Sequence, residues 1–124
     1  MASLLAREPK RLSDVLRFYH PDYSYDGGTV PAGTVLEFGS PVALDASGNP
    51  VAWVPGASDS TGTVVGLSAV HLDAQATAVR VNWVARHAAV VRNGIEWPAG
   101  TTSNQQTAAL AALKALGIVA RQGE

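Results

Sequence analysis

The 124-residue chain contains no cysteine. That removes two ways of stapling a small domain, a disulfide framework and a thiolate zinc site, and leaves the redox compartment open. Charge is scarce, at 15% Asp, Glu, Lys and Arg against a usual ~25%. Neither sign dominates: nine basic and ten acidic residues give a formal net charge of −1. Duplex nucleic acid is a poor partner for such a chain, because binding it rests on neutralising many phosphates. Long hydrophobic runs are also missing. The apolar stretches break within about ten residues, short of the ~20 that a membrane-spanning helix needs. The opening MASLLAREPKR puts its basic residues after a short apolar patch, the reverse of a secretory signal. The protein is therefore expected to begin near Met1 and to be made in the cytosol. A chain of this length is expected to form one domain and to bury roughly two-thirds of its surface, enough for a core without metal or disulfides.

The residues that carry chemistry are thinly spread. His20, His71 and His87 share no metal-ligand spacing, and His71 and His87 read as surface or rim residues. Ser68, in GLSAV, lacks the G-x-S-x-G frame of a nucleophile elbow. Glu37, Asp45, Asp59, Asp73 and Glu96 are scattered, with no paired carboxylates. Residues 56–62, GASDSTG, lack the Lys-Ser/Thr ending of a phosphate loop and read as a mobile surface loop. His20-Pro21-Asp22 reproduces the tripeptide of chaperone J-domains, but YSYDGGTVPAG follows it where that signature needs a long helix. A turn is the simpler reading. No enzyme activity, metal or cofactor is expected.

Aromatic residues are few but bunched. Of three Trp, three Tyr and two Phe, four stand in RFYHPDYSYDGG: Phe18, Tyr19, Tyr23 and Tyr25. Arg7, Lys10, Arg11 and Arg17 form a basic cluster around and before them. Leu12, Val15, Leu16 and Tyr19 fit the i, i+3, i+4, i+7 spacing of a short amphipathic helix, with Ser13 or Asp14 as a cap. Helices shorter than ~12–15 residues do not stand alone in water. Residues 1–28 are accordingly expected to be an N-terminal arm that orders against something else.

From Thr29 the pattern is β. Strands are expected over residues 34–38, over 42–44 and 51–54 as a hairpin around the turn-rich residues 45–49, and over 63–72. Gly66 inside the last of these implies a bulge or a close backbone approach. Residues 77–84 alternate, with Val79, Val81 and Trp83 or Val84 on one side and Arg80 and Asn82 on the other. HAAVV continues the run, and Asn93-Gly94 is a type I′ hairpin signal that would fold residues 95–97 back onto it. One helix stands out: Thr102 or Ser103 as N-cap, a Gln three residues later in either case, a stripe of Leu110, Leu113 and Leu116, and Gly117 at the stop. Residues 118–120 return to strand. The expected fold is a small, β-rich α+β domain over residues 29–124 with one C-terminal helix. Trp53, Trp83 and Trp97 read as core residues before ligand-stacking ones, and Trp97-Pro98 ends a strand and sets the approach to the helix.

In order along the chain, PVALDASGNPVAW, VVGLSAV, IEWP and ALAALKALGIVAR, together with the opening REPKRLSDVLRF, resemble the head-decoration protein family of bacteriophage lambda. The resemblance spans nearly the whole chain; residues 18–28 match it least. It implies a non-enzymatic capsid protein, added to the outside of the expanded phage head as trimers at local threefold positions. Its partners would be the major capsid protein and further copies of itself, and its role to hold the shell against internal DNA pressure. The resemblance also implies an N-terminal segment that orders on the shell. Arg7, Lys10, Arg11, Leu12, Val15, Leu16, Phe18, Tyr19, Tyr23 and Tyr25 are then the expected capsid contacts, and Trp53, Gly66, Trp97 and Pro98 the structural motif residues. Two other readings remain open on the residues alone. One is a small β-barrel that binds a carbohydrate or peptide on exposed Trp platforms; the other is a hydrolase using His71 or His87. The arm's rings could also fold back on their own domain or on a neighbouring copy.

Overall fold

A computed structural model describes residues 16–18, 24–73 and 75–121. Among them, five strands pair antiparallel in one sheet: β2 (Tyr25–Val30), β3 (Pro41–Leu44), β4 (Pro50–Ala52), β5 (Gly66–Ser68) and β6 (Val79–Val84), in the spatial order β2-β6-β5-β3-β4. A second sheet has β7 (Ala88–Val91) at its centre, antiparallel to β1 (Leu16–Phe18) and parallel to β8 (Ile118–Arg121). The one α-helix among the described residues, α1 (Ser103–Ala115), precedes β8.

Local chemistry explains the elements that the sequence made clear. In the β3–β4 hairpin, the Asp45 carboxylate accepts the backbone N–H groups of Ser47 and Asn49, each at 2.9 Å. At α1, Thr102 is the N-cap: its hydroxyl accepts from Gln105 N–H, and the Gln105 side chain accepts from Thr102 N–H. Gly117 takes a φ of +82° at the stop, a conformation only glycine adopts freely. Gly66 meets the expectation of close approach, since a Cβ there would stand 2.1 Å from the Val84 carbonyl oxygen.

The large sheet is buried on both faces. Val42 and Ala43, adjacent on β3, enter opposite clusters. The first cluster joins Ala43, Leu67 and Val84 of the large sheet to Leu16, Val90 and Ile118 of the small sheet and to Ala109 and Leu113 of α1. The second packs Val30, Val42, Val81 and Trp83 with Leu36. Each such Leu, Ile or Val contributes about 1.5–3 kcal/mol when withdrawn from water. The helix stripe centres on Ala109 and Leu113, with Leu110 and Leu116 only partly buried.

Several expectations are corrected. Leu16–Phe18 is strand rather than helix; the rest of the expected helix lies outside the described residues. The strand at 34–38 shrinks to one bridge, Leu36 to Leu72, because a turn closes directly after it with Ser40 N–H on the Glu37 carbonyl. The strand at 63–72 is limited to β5, since the Ser68 hydroxyl donates to the Val70 carbonyl at 2.6 Å and starts a turn. β6 does not run on into β7: His87, at φ +47°, carries the chain from one sheet to the other. Asn93-Gly94 makes no hairpin. Residues 92–94 form a 3-10 turn, and both sides of β7 are already occupied by β1 and β8, so residues 95–97 have no edge to pair with.

Candidate functional site

The N-terminal segment was expected to stand apart from the domain through residue 28. The structure places its described parts within the fold. Leu16 is 5% exposed and packs in the first cluster, opposite Val90. β2 crosses the expected boundary at residue 28 and pairs along its whole length with β6. Tyr25 stands opposite Val84 and packs against the first cluster. Three residues that the sequence did not single out lock this corner. Ser24 is fully buried; its carbonyl accepts from Ala85 N–H at 2.7 Å and its hydroxyl donates to the His87 carbonyl at 3.0 Å. Asp26 pairs with the Arg86 guanidinium at 2.6 Å. No local sequence signal marks these partners, because they lie some sixty positions apart in the chain. Arg7, Lys10, Arg11, Leu12, Val15, Tyr19 and Tyr23 lie outside the described residues, as do His20, Pro21 and Asp22.

Both N-terminal strands are sheet edges. β1 is the outer strand of the small sheet and β2 of the large one. A bulge between Leu16 and Phe18 shifts the β1 register, setting Phe18 opposite Ala89. On its outer side β1 has no strand partner among the described residues. An edge strand presents a row of backbone donors and acceptors that another chain can extend. The geometry here therefore suits main-chain pairing with a partner segment better than any reaction.

The remaining candidates are structural. Trp53 and Trp83 are buried, and Trp53 Nε1 donates to the Gly62 carbonyl at 3.0 Å. Trp83 Nε1 has no partner among the described residues, and its ring lies over Gly28, where a Cβ would approach it to 3.1 Å. Trp97 is half-buried and meets Trp53 edge to face, centroids 6.2 Å apart. Pro98 follows it, its carbonyl accepting from Thr101 N–H at 3.2 Å. Two of the three rings are thus closed to a ligand. His71 lies at the surface between Glu37 (3.2 Å) and Asp73 (3.3 Å). Ser68 is buried, with its hydroxyl engaged in the local turn. Among the described residues no group of side chains could hold a metal ion, and no helix is long and apolar enough to cross a membrane.

No curated protein matches the chain. The family model described as bacteriophage lambda head decoration protein D matches residues 5–118, nearly the full length. The match takes in most of the N-terminal segment, β1 to β7 and α1, ending at the first residue of β8, and the chain belongs to that family.

Proposed function

We propose that this protein is a structural component of a phage head, without enzymatic activity or cofactor, that decorates the outer surface of the expanded shell. The family match over residues 5–118 carries this reading. In the proposal the protein is made in the host cytoplasm, assembles as trimers at local threefold sites, and clamps neighbouring major capsid subunits against DNA pressure. The segment before Leu16 reaches the shell, and a capsid segment continues the small sheet at the outer side of β1. Arg7, Lys10 and Arg11 meet acidic groups there, while Leu12 and Val15 supply apolar contact. Phe18, Tyr19 and Tyr23 act as anchors, since aromatic hot spots contribute on the order of 2 kcal/mol each. Three arms per trimer add by avidity, so each arm can be weak.

The burial of Trp53 and Trp83 favours this reading over a ligand-binding barrel with Trp platforms. The test is the temperature at which DNA-filled heads of the cognate phage rupture, measured with and without added protein. A rise in rupture temperature that saturates with protein supports the clamp. An unchanged temperature at saturating protein contradicts it.

A further inference from the structure

Two surfaces that the shell-binding reading does not use complement each other. Beside the edge strand β8, a groove of about 270 Å³ is lined by Leu110, Ala111, Val119 and Ala120 and flanked by Arg92 and Lys114. Arg121 follows on the same strand, opposite Val91, the neighbour of Arg92. None of these three cations makes an ion pair among the described residues. Val119 is one of three large hydrophobic residues left exposed there, at 41%. The groove is thus an apolar slot with a positive rim that no carboxylate among the described residues pairs with.

The matching shape lies on the other side of the large sheet. Leu36 and Leu72 bridge into the second cluster, which turns their neighbours outward. Val35, another of the three exposed hydrophobics, stands at 45%. Glu37 flanks it, and Asp73 stands across the bridge, the two carboxylates bracketing His71. The corner remains negative in net charge even with the imidazole protonated. An apolar knob with an acidic collar on one surface therefore answers an apolar slot with a basic rim on another.

We infer that the groove beside β8 receives the Val35, Glu37 and Asp73 corner of a second copy of this chain, in a head-to-tail contact. Because the two surfaces differ, the contact is heterologous. Repeated with rotation, it closes into a ring, which is how it would serve the trimer; to that extent the inference rests on the reading of the protein as a self-assembling head component. Charge complementarity fixes the register, and Val35 in the slot supplies the desolvated centre.

The chain has no cysteine, so engineered thiols report cleanly. Full-length Val35→Cys and Val119→Cys variants, carrying tags of different size, are oxidised mildly, alone and mixed, in solution and on expanded shells. Both sites are exposed, so folding is not at risk. The expected result is a disulfide heterodimer from the mixture that exceeds either homodimer several-fold. Adding Lys114→Glu to the Val119→Cys partner should lower its yield, and adding Glu37→Lys to the Val35→Cys partner should restore it. Homodimers of either variant dominating the mixture, or no heterodimer in either setting, would overturn the contact. Decoration of shells without the crosslink removes this inference and leaves the shell-binding reading intact. The crosslink without shell binding does the reverse.

Discussion

Leu16, Gly66 and Ser24 show at single positions what the fold demands. Leu16 fills space between Val90 of β7 and the rest of the first cluster. Leu16→Ala is therefore expected to lower the stability of the free protein by about 2–5 kcal/mol, read from urea unfolding. A residue serving only as a shell contact would leave that curve unmoved. Gly66→Ala forces a methyl into the Val84 carbonyl, and neither backbone can retreat without breaking the β5–β6 pairing. Its expected cost is at least the ~1–3 kcal/mol of an overpacked core, with loss of soluble protein as the extreme. The sequence marked Gly66, because a glycine inside an apolar run is conspicuous. It did not mark Ser24, whose role depends on residues 85–87 arriving from a distant part of the chain.

At the scale of elements, local chemistry decided what could be read in advance. The helix carries its own start and stop in Thr102, Gln105 and Gly117, so its limits were legible. Thr102→Ala should cost about 1 kcal/mol, as loss of an N-cap does, with the thermal midpoint as the readout. The β3–β4 hairpin was legible because Asp45 organises its turn alone. Hydrogen bonds hold the carboxyls of Asp45 and Asp59 below their ordinary pKa, the first chiefly through Asn49 N–H and the second chiefly through the Thr61 hydroxyl. A carboxyl depressed in the folded state stabilises the protein above its unfolded pKa, and that contribution is lost as pH falls through the folded value. Stability should accordingly decline on acidification below about pH 4, the ordinary aspartate range. Asp45→Asn keeps an oxygen for both turn bonds and should show a shallower decline in thermal melts between neutral and acid pH. The elements that escaped sequence reading all depend on remote partners. The parallel β7–β8 pair, the strand at Leu16–Phe18 and the failed hairpin at Asn93-Gly94 follow from which strand reaches β7 first, and no short window records that.

For the whole molecule, the bunched aromatic residues drew attention to the N-terminal segment, but their spacing did not show that strands at Leu16–Phe18 and Tyr25–Val30 pair with the folded body. Leu16 lies in the core and β2 spans the expected boundary, so the place to separate arm from domain is before Leu16. A chain lacking residues 1–28 would lose β1 and four of the six residues of β2 and should fail to fold. A chain lacking residues 1–15 retains every described element and should keep the far-UV circular dichroism of the full protein. That shorter deletion makes a direct test of shell binding possible. The decisive measurement is co-sedimentation with expanded, undecorated shells of the cognate phage, comparing the full chain with the form lacking residues 1–15. The full chain should pellet with the shells and the shortened, folded form should stay in the supernatant. Equal pelleting of both would contradict a shell contact made through the N-terminal segment, and failure of the full chain to pellet would contradict the decoration role itself.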